Sequence, residues 1–368
     1  MKIILCGGGT SGHVNPALNI AKRISERTQA EIAFIGTKHG IESTLVPKAG
    51  YPISFVEVSG FSRRLTPKNI KAAWHAVTSV HEAKRIIREF SPDLVIGTGG
   101  YVSWPTVKAA SKLRIPTLIH EQNAYPGVTT KMLSKIADRV CISFEGSRRF
   151  FDESVAPKLV LTGNPVIVDN LTREEARARL GLSADEPYIL SFGGSMGAEK
   201  VNELVFGLIE RLSLPQNIRH THAVGRVGWE KFSAMAAEKG FESHKNLSVR
   251  EYIYDMPVHQ AAADVIICRA GAMTLAELAV RAAAAVLIPS PNVTADHQYK
   301  NARLLADSGA AVVYRESELS PELLTTTVSD LLSNPNKRRR MQESIKRFAL
   351  PDAVDAIADN ALALVQKR

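Results

Sequence analysis

The chain has 368 residues, of which 45% are hydrophobic and 23% charged, and its net charge is +9. This composition is typical of a globular protein large enough for two domains. Its three cysteines, Cys6, Cys141 and Cys268, are far apart, which excludes a disulfide framework and a zinc-binding cysteine cluster. No apolar run approaches the ~20 residues that a membrane-spanning helix needs, so an integral membrane protein is not expected.

The positive charge is concentrated in the first half of the chain. Residues 1–165 carry 22 Lys/Arg and 12 Asp/Glu, whereas residues 166–368 carry 24 and 25. A basic half predicts an anionic partner, either a nucleic acid or a membrane surface. The segment 61–88, with seven basic residues and Trp74, is typical of a membrane-surface helix, although an ordinary surface helix has the same pattern. No aromatic-rich strand, zinc spacing or continuous basic helix favours nucleic acid.

The first half alternates short apolar runs with amphipathic stretches. We predict strands at 2–6, 31–36, 53–60, 93–96, 117–120, 140–143 and 159–162, and helices at 16–27 and 105–113. Strands that alternate with helices predict a parallel doubly wound sheet, in which ligands bind at the carboxyl ends of the strands.

Two glycine-rich loops follow strands in this half. The first, GGGTSGH at 7–13, satisfies G-x-G-x-x-G, but Thr37 and Lys38 stand where an acidic residue would bind a ribose. A different phosphate-bearing ligand is therefore favoured over a nicotinamide cofactor. The second loop is GTGGY at 97–101. His13 is placed to act as a base or to bond a phosphate, or it only spaces the start of a helix.

The pattern restarts after the charged stretch at 172–179. A strand at 188–192, a third glycine loop at 193–198 and a helix at 200–211 repeat the opening of the first half. The repetition predicts two similar α/β domains that face each other across a cleft. A final helix at 346–368 is expected to pack back on the first domain.

A strand–turn–helix unit late in the chain is a further candidate ligand site. After a strand at 265–268, Thr274-Leu275-Ala276-Glu277 has the spacing of a capping box, which predicts a helix beginning at Thr274. The N–H groups and macrodipole of a helix N-terminus favour an anion such as a phosphate. The alternative is that Glu277 only completes the capping box and Gly271 only makes the turn.

Together these motifs resemble one family. The resemblance is carried by GGGTSGHVNPAL at 7–18, GTGGY at 97–101, HEQNAYPG at 120–127, GNP at 163–165, GGSMGA at 193–198, CRAGAMTLAEL at 268–278 and ADHQYKNA at 295–302. In order and spacing they are similar to the bacterial UDP-N-acetylglucosamine transferases that convert lipid I to lipid II in peptidoglycan synthesis, the MurG family. The similarity runs from Ile3 to about Ala311.

The resemblance implies a GT-B fold, an α/β architecture of two Rossmann-like doubly wound parallel-sheet domains facing across a cleft. Residues 1–165 with the C-terminal helix 346–368 would form the acceptor and membrane-facing domain, and residues 166–345 the donor domain. It implies an inverting glycosyl transfer without bound metal or cofactor, at the cytoplasmic face of the cell membrane. The expected partners are UDP-GlcNAc, lipid I and, through the basic segment 61–88, an anionic membrane surface. Nucleic acid is not expected.

The resemblance also implies roles for individual residues. His13 corresponds to a general base for the acceptor C4 hydroxyl; Glu121 is the rival base, and a positioning role for His13 is the alternative. The donor UDP-GlcNAc would be bound by Thr10, Ser11, Gly12, Asn123, Ser195, Ile253, Ala272, Met273, Thr274, Leu275, Ala276, Glu277 and Gln298. Within this set, Ile253 would face uracil, Glu277 the ribose and Gln298 the sugar. The acceptor would be bound by Gly99, Gly100, Tyr101 and His120.

The chain departs from the family pattern at two places. Arg281-Ala282-Ala283-Ala284 stands where many members have a Gly-Pro pair, which allows the preceding helix to extend by a turn, and Ile167 stands where some relatives carry an arginine. Three other functions remain open at this point: another GT-B enzyme such as a UDP-GlcNAc epimerase, a non-catalytic lipid or nucleotide adaptor, and a basic nucleic-acid binder. The presence of His13, Glu277 and Gln298 argues against an adaptor.

Overall fold

The protein folds into two compact α/β units. The structure is a computed structural model that describes residues 1–58 and 67–366, with the main chain alone for 67–77. One unit combines residues 1–167 with 350–368, and the other comprises 168–349. Each contains an all-parallel sheet, which confirms the predicted class of two doubly wound parallel-sheet domains. No helix in the described part of the chain has the length and apolar character needed to cross a membrane.

Thirteen strands within the described residues form the two sheets. They are β1 (Lys2–Cys6), β2 (Glu31–Gly36), β3 (Ile53–Phe55), β4 (Leu94–Gly97), β5 (Thr117–Glu121), β6 (Arg139–Ile142), β7 (Leu159–Leu161), β8 (Tyr188–Phe192), β9 (Arg219–Ala223), β10 (Leu247–Arg250), β11 (Val265–Cys268), β12 (Ala285–Leu287) and β13 (Val312–Val313). The strand order is β3-β2-β1-β4-β5-β6-β7 in the first unit and β10-β9-β8-β11-β12-β13 in the second. The order reverses between β1 and β4 and between β8 and β11, where doubly wound folds bind ligands.

Fourteen α-helices accompany these strands in the described ranges. They are α1 (Ser11–Arg27), α2 (Glu42–Lys48), α3 (Pro67–Phe90), α4 (Ser103–Lys112), α5 (Val128–Ser134), α6 (Arg173–Arg179), α7 (Glu199–Leu208), α8 (Trp229–Glu238), α9 (Met256–Ala262), α10 (Ala272–Val280), α11 (His297–Asp307), α12 (Pro321–Ser333), α13 (Pro335–Lys346) and α14 (Ala353–Gln366). The predicted basic segment 61–88 lies partly outside the described residues.

Both faces of each sheet are buried, which explains why the strands are continuous apolar runs. In β1, Ile3 and Leu5 belong to one core cluster while Ile4 and Cys6 belong to another, because side chains alternate along a strand. Helix α14 adds Ile357 and its neighbours to the first of these clusters, so the end of the chain is part of the first unit's core.

The first and the last helix begin at residues other than those expected from the sequence. Helix α1 begins at Ser11 rather than near Pro16, which lies inside it. Pro16 is the sixth residue of α1, so its missing N–H costs one intrahelical hydrogen bond, to the Gly12 carbonyl, in a helix of 17 residues. The final helix, predicted over 346–368, begins at Ala353, since α13 ends at Lys346 and a turn separates the two.

Candidate functional site

The three predicted glycine loops follow central strands: 7–10 after β1, 98–101 after β4 and 193–197 after β8. The first two are in contact, because the Gly8 N–H donates to the Gly99 carbonyl at 3.4 Å. A Cβ at Gly100, where φ is +79°, would lie 2.2 Å from the Gly8 oxygen. Only glycine permits this approach. The structure thus brings together the two loops assigned to the base and to the acceptor.

His13 lies where these two loops meet. Its Nδ1 is 3.2 Å from the Gly8 carbonyl oxygen and 3.3 Å from Thr10 Oγ1. Because a carbonyl oxygen can only accept, this contact favours a proton on Nδ1, and in the neutral ring the lone pair is then on Nε2. A Cβ at Gly99 would lie 2.7 Å from His13 Cδ2, so the ring packs against the second loop. The contacts of His13 therefore favour the tautomer in which Nε2 is the ring nitrogen able to accept a proton.

Glu121, the rival base, is 2% exposed at the end of β5. Its Oε1 accepts from the main-chain N–H (2.9 Å) and the Nδ2 (3.1 Å) of Asn123, and its Oε2 accepts from the Gly127 N–H at 3.0 Å. Three donors hold both carboxylate oxygens and orient the turn that leads into α5. These contacts favour a positioning role for Glu121 over the role of base.

His120, predicted to bind the acceptor, is 1% exposed. Its Nε2 lies 2.9 Å from the Gly163 carbonyl oxygen and its Nδ1 lies 3.0 Å from Gln122 Nε2. Burial lowers the pKa of His120 to about 4, against the opposing effects of the Gly163 hydrogen bond and the Glu121 charge. This ring is a neutral link between β5 and the segment after β7, so the predicted direct contact with an acceptor is not available to it. Tyr101, by contrast, is 59% exposed.

In the second unit, the glycine loop after β8 rests on the loop after β9. A Cβ at Gly197 would lie 2.3 Å from the Val224 carbonyl oxygen, and one at Gly225 would lie 2.1 Å from the Gly197 nitrogen. The Arg226 N–H donates to the Ser195 carbonyl at 3.2 Å. Main-chain packing therefore fixes this loop, and Ser195 is exposed upon it.

Helix α10 contains six of the thirteen residues predicted to bind the donor, from Ala272 to Glu277. The predicted start at Thr274 is wrong: the helix begins at Ala272 and Gly271 is its N-cap. Gly271 has extended backbone angles and no side chain that could accept a hydrogen bond, so the S/T-x-x-E spacing is coincidental. The helix N-terminus after β11 nevertheless remains the feature that favours an anion.

Glu277, assigned to the ribose, is half-buried inside α10 and accepts from Gln260 Nε2 at 3.1 Å. Burial raises its pKa, while Gln260 and the charge of Arg281 oppose that rise. A carboxylate fixed by an amide is suited to accept hydrogen bonds from a diol.

The departure at 281–284 does not lengthen α10. The helix ends at Val280, and Ala282 has a left-handed φ of +51°. Arg281 forms an ion pair with Asp169. Ala282 therefore occupies a conformation that favours glycine. Ile167, the second departure, is 45% exposed.

Two further residues predicted to bind the donor, Ile253 and Gln298, differ in how deeply they are buried. The Ile253 side chain is 1% exposed within the core, so contact with a base is open only to its main chain. Gln298 is half-buried in the first turn of α11, where its Oε1 accepts from the Ser290 N–H at 2.9 Å. That bond ties α11 to the loop after β12. No group of three His, Cys, Asp or Glu among the described residues could hold a metal ion.

Sequence reasoning missed Glu42, which is 1% exposed beside the first glycine loop and accepts from the Gly9 N–H at 2.9 Å. One signal in the sequence could have indicated it. Glu42 is an acidic residue in the basic half of the chain, and it lies shortly after the end of β2, where an acidic residue that binds a ribose was expected but Thr37 and Lys38 stand. Its position five residues beyond Thr37 places it on α2 rather than at the end of the strand.

Comparison with known proteins extends these observations over the whole chain. The N-terminal and C-terminal domain models of glycosyltransferase family 28 match residues 3–142 and 188–357. The UDP-N-acetylglucosamine--N-acetylmuramyl-(pentapeptide) pyrophosphoryl-undecaprenol N-acetylglucosamine transferase of Acetivibrio thermocellus is 43% identical over 97% of this chain and 96% of its own. The enzyme of the same name from Desulforamulus reducens is 41% identical over 97% of each chain.

A solved structure agrees with these relatives. The crystal structure of Acinetobacter baumannii MurG superposes with a TM-score of 0.77 and 31% identity, covering 98% of this chain and 99% of that one. The full-length identity, both domain matches and the two-sheet architecture lead to one conclusion: the chain belongs to the MurG family of glycosyltransferases, within glycosyltransferase family 28.

Proposed function

We infer that this protein is a hexosyltransferase that moves N-acetylglucosamine from UDP-GlcNAc to the C4 hydroxyl of the N-acetylmuramyl group of lipid I, forming lipid II in peptidoglycan synthesis. The observation that carries this inference is the 43% identity, over nearly the full length of both chains, to an enzyme named for that transfer. The arrangement of His13 between two glycine loops is consistent with it.

We propose that His13 is the general base of an inverting displacement. The acceptor C4 oxygen attacks C1 of the sugar and passes its proton to His13 Nε2, while the C1–O bond breaks and UDP leaves with the electron pair. The Nδ1 contact to the Gly8 carbonyl supports this role, because it leaves the lone pair on Nε2. Negative charge that develops on the leaving diphosphate would be stabilised by the N-terminus of α10.

The donor set is proposed by position in the family motifs and by chemistry. Glu277 would accept from the ribose hydroxyls and Gln298 would contact the sugar, while Ile253 would meet uracil through its main chain. The remaining proposed donor contacts are Thr10, Ser11, Gly12, Asn123, Ser195, Ala272, Met273, Thr274, Leu275 and Ala276. Gly99, Gly100 and Tyr101 are proposed to bind the acceptor.

We also propose that the basic first unit docks on an anionic membrane surface. The predicted segment 61–88 is one contributor. Helix α5 is another, because Val128 and Met132 are 75% and 49% exposed one turn apart, and Lys131 between them lies 4.4 Å from the Tyr125 ring centre. Apolar side chains beside cations are what an anionic interface binds.

Vesicle sedimentation tests this docking. Val128→Ser/Met132→Ser should bind phosphatidylglycerol vesicles less tightly than wild type, and phosphatidylcholine vesicles should bind neither protein well. Val227→Ser, in the second unit and also 75% exposed in wild type, is the control and should bind like wild type. Equal binding of all three proteins to anionic vesicles would remove α5 from the docking surface.

Release of UDP from UDP-GlcNAc, with and without a short-chain lipid I analogue, separates the transferase from its alternatives. We expect strictly acceptor-dependent release, and loss of turnover with retained UDP binding in His13→Ala. Release without acceptor would indicate an epimerase. Tight UDP binding without turnover in either condition would indicate an adaptor.

A further inference from the structure

We propose that Glu42 is a positioning residue for the reaction: its carboxylate holds the first glycine loop so that the Gly8 carbonyl keeps His13 in the Nδ1–H tautomer. The catalytic consequence rests on the proposed function, whereas the effect on the tautomer does not. Glu42 does not touch substrate in this account, because it is 1% exposed.

The carboxylate is enclosed by donors from two loops. Its Oε2 accepts from the Gly9 N–H at 2.9 Å. Its Oε1 accepts from the Thr37 N–H at 3.0 Å and from Thr37 Oγ1 at 2.6 Å. One side chain therefore joins the loop after β1 to the loop after β2.

Glu42 is ionised at neutral pH. Burial alone would raise its pKa, but the hydrogen bonds from Thr37 and Gly9 outweigh burial and hold the pKa below the ordinary value. An ionised acceptor makes stronger hydrogen bonds to N–H groups than a neutral one. The hydrogen bond from the Gly9 N–H is thus made to a charged carboxylate in a region that excludes water.

Packing does not enforce the conformation of Gly9. Its φ is +83°, and a Cβ there would have no atom within 4 Å. The described contact that holds its peptide is the bond to Glu42. Without that bond the loop loses a constraint at the residue that follows Gly8.

Gly8 transmits this constraint to His13. On one side, a Cβ at Gly8 would lie 2.5 Å from Glu42 Oε1, so the carboxylate occupies the space that a side chain at Gly8 would need. On the other side, Gly100 closes over the Gly8 carbonyl. That carbonyl is the acceptor 3.2 Å from His13 Nδ1. Moving the Gly8–Gly9 peptide therefore removes the carbonyl acceptor that favours a proton on Nδ1, whereas the other oxygen near Nδ1, Thr10 Oγ1 at 3.3 Å, can either donate or accept.

The two-bond ¹H–¹⁵N NMR spectrum of the whole protein measures the tautomer without substrate, with His13 assigned by comparison with His13→Asn. We expect the Nδ1–H tautomer in wild type and a shift toward Nε2–H in Glu42→Gln. Glu42→Asp keeps the negative charge, but its shorter side chain moves the carboxylate away from Gly9. It should also increase the population of the Nε2–H tautomer, but by less than Glu42→Gln does. It also serves as the second variant if Glu42→Gln folds poorly.

Asp138→Asn is the matched control, because Asp138 also accepts from the main chain and hydroxyl of one threonine, Thr117, but outside the glycine loops. It should keep the wild-type tautomer. In kinetics, Glu42→Gln should lower kcat about 10- to 100-fold, as expected when a general base is mispositioned, with the KM for UDP-GlcNAc changed less than about twofold. Asp138→Asn should keep kcat.

The proposal is overturned if the wild-type ring is mainly Nε2–H, or if both Glu42 variants keep the wild-type tautomer and lose only thermal stability. A tautomer shift in a protein that transfers no sugar would retain the positioning role and refute the transferase instead. An unchanged tautomer in an active transferase would refute the positioning role alone.

Discussion

The glycine loops of the two units are held by different kinds of group: a charged carboxylate in the first unit and neutral groups in the second. In the first unit, the charged carboxylate of Glu42 holds Gly9. In the second, the loop at 193–197 rests on Val224 and Gly225, and the Val224 carbonyl accepts from Asn202 Nδ2 at 3.1 Å. Asn202 in turn meets His222 Nε2 at 3.2 Å.

The second network consists of neutral groups. Ser191 Oγ lies 2.8 Å from both His220 Nε2 and His222 Nδ1, and Ser213 Oγ lies 2.8 Å from His220 Nδ1. Burial lowers the pKa of His220 to about 3 and that of His222 to about 4. The stability of the two similar loops should therefore depend on pH over different ranges. The first loop depends on a carboxylate that must stay charged, and the second depends on histidines that must stay neutral.

The largest predicted effect concerns the close contact in the first unit. Gly9 and Gly100 have nearly the same φ, +83° and +79°, but only a Cβ at Gly100 would collide with main chain. Gly9→Ala should lower the free energy of unfolding by about 1–2 kcal/mol, the cost of a left-handed alanine. Gly100→Ala should cost more than about 3 kcal/mol, because the Gly8 peptide must also move. Denaturant unfolding measures both, and equal losses would mean that the loops are not in tight contact.

The second prediction compares the acid sensitivity of the units. Buried histidines with lowered pKa values are neutral when folded and bind protons when unfolded, so stability is lost as pH falls from about 6.5 toward 4. Each should cost about 2 kcal/mol at pH 5 relative to pH 7.5. Among the described residues the second unit has three such histidines, His220, His222 and His259, whereas the first has His120, with a pKa of about 4.

The second unit should therefore lose at least twice as much stability as the first when the pH falls to 5. Hydrogen exchange read by mass spectrometry, comparing peptides that contain β9 with peptides that contain β5, measures the difference. Faster hydrogen exchange in the β5 peptides than in the β9 peptides as the pH falls to 5 would contradict this prediction. Protonation of Glu42 should contribute only below pH 4.5, because its folded pKa is lowered from that value.

The smallest predicted effect lies after α10. Ala282→Gly should raise the free energy of unfolding by about 0.5–1 kcal/mol, because glycine adopts the left-handed conformation of φ +51° without strain, partly offset by its greater freedom when unfolded. Ala234→Gly, at an exposed position inside α8, is the matched control and should destabilise by about 1 kcal/mol. Destabilisation by both substitutions would show that Ala282 carries no strain.

Much of the fold follows from local pattern. Strands such as Val265–Cys268 are continuous apolar runs because both faces of the sheets are buried, and their alternation with helices is sufficient to predict parallel sheets. Helix starts are harder, because they depend on the tertiary setting of the first turn. Thr274 and Glu277 have capping-box spacing, yet the helix begins at Ala272 with Gly271 as its N-cap. Pro16 suggests a start, yet it lies inside α1.

Some residues of the candidate site could likewise be predicted from the sequence, whereas others could not. His13 follows from its place after a glycine loop, but its tautomer depends on a carbonyl that only the fold places. His120 belongs to a run of four polar residues, 120–123, yet its position in a buried parallel strand turns its ring into the interior. Glu42 could not be assigned because its partners, Gly9 and Thr37, come from two different loops. Long-range partners decide which polar residues bind ligands and which hold loops.

The most direct test of the central claim is the anomeric configuration of the product, read by ¹H NMR after incubation with UDP-GlcNAc and a short-chain lipid I analogue. Because the donor sugar is α-linked to UDP, a single displacement with His13 as base predicts a β-linked N-acetylglucosamine on the C4 oxygen of the acceptor sugar. An α-linked disaccharide, or free sugar and UDP without a disaccharide, would contradict it.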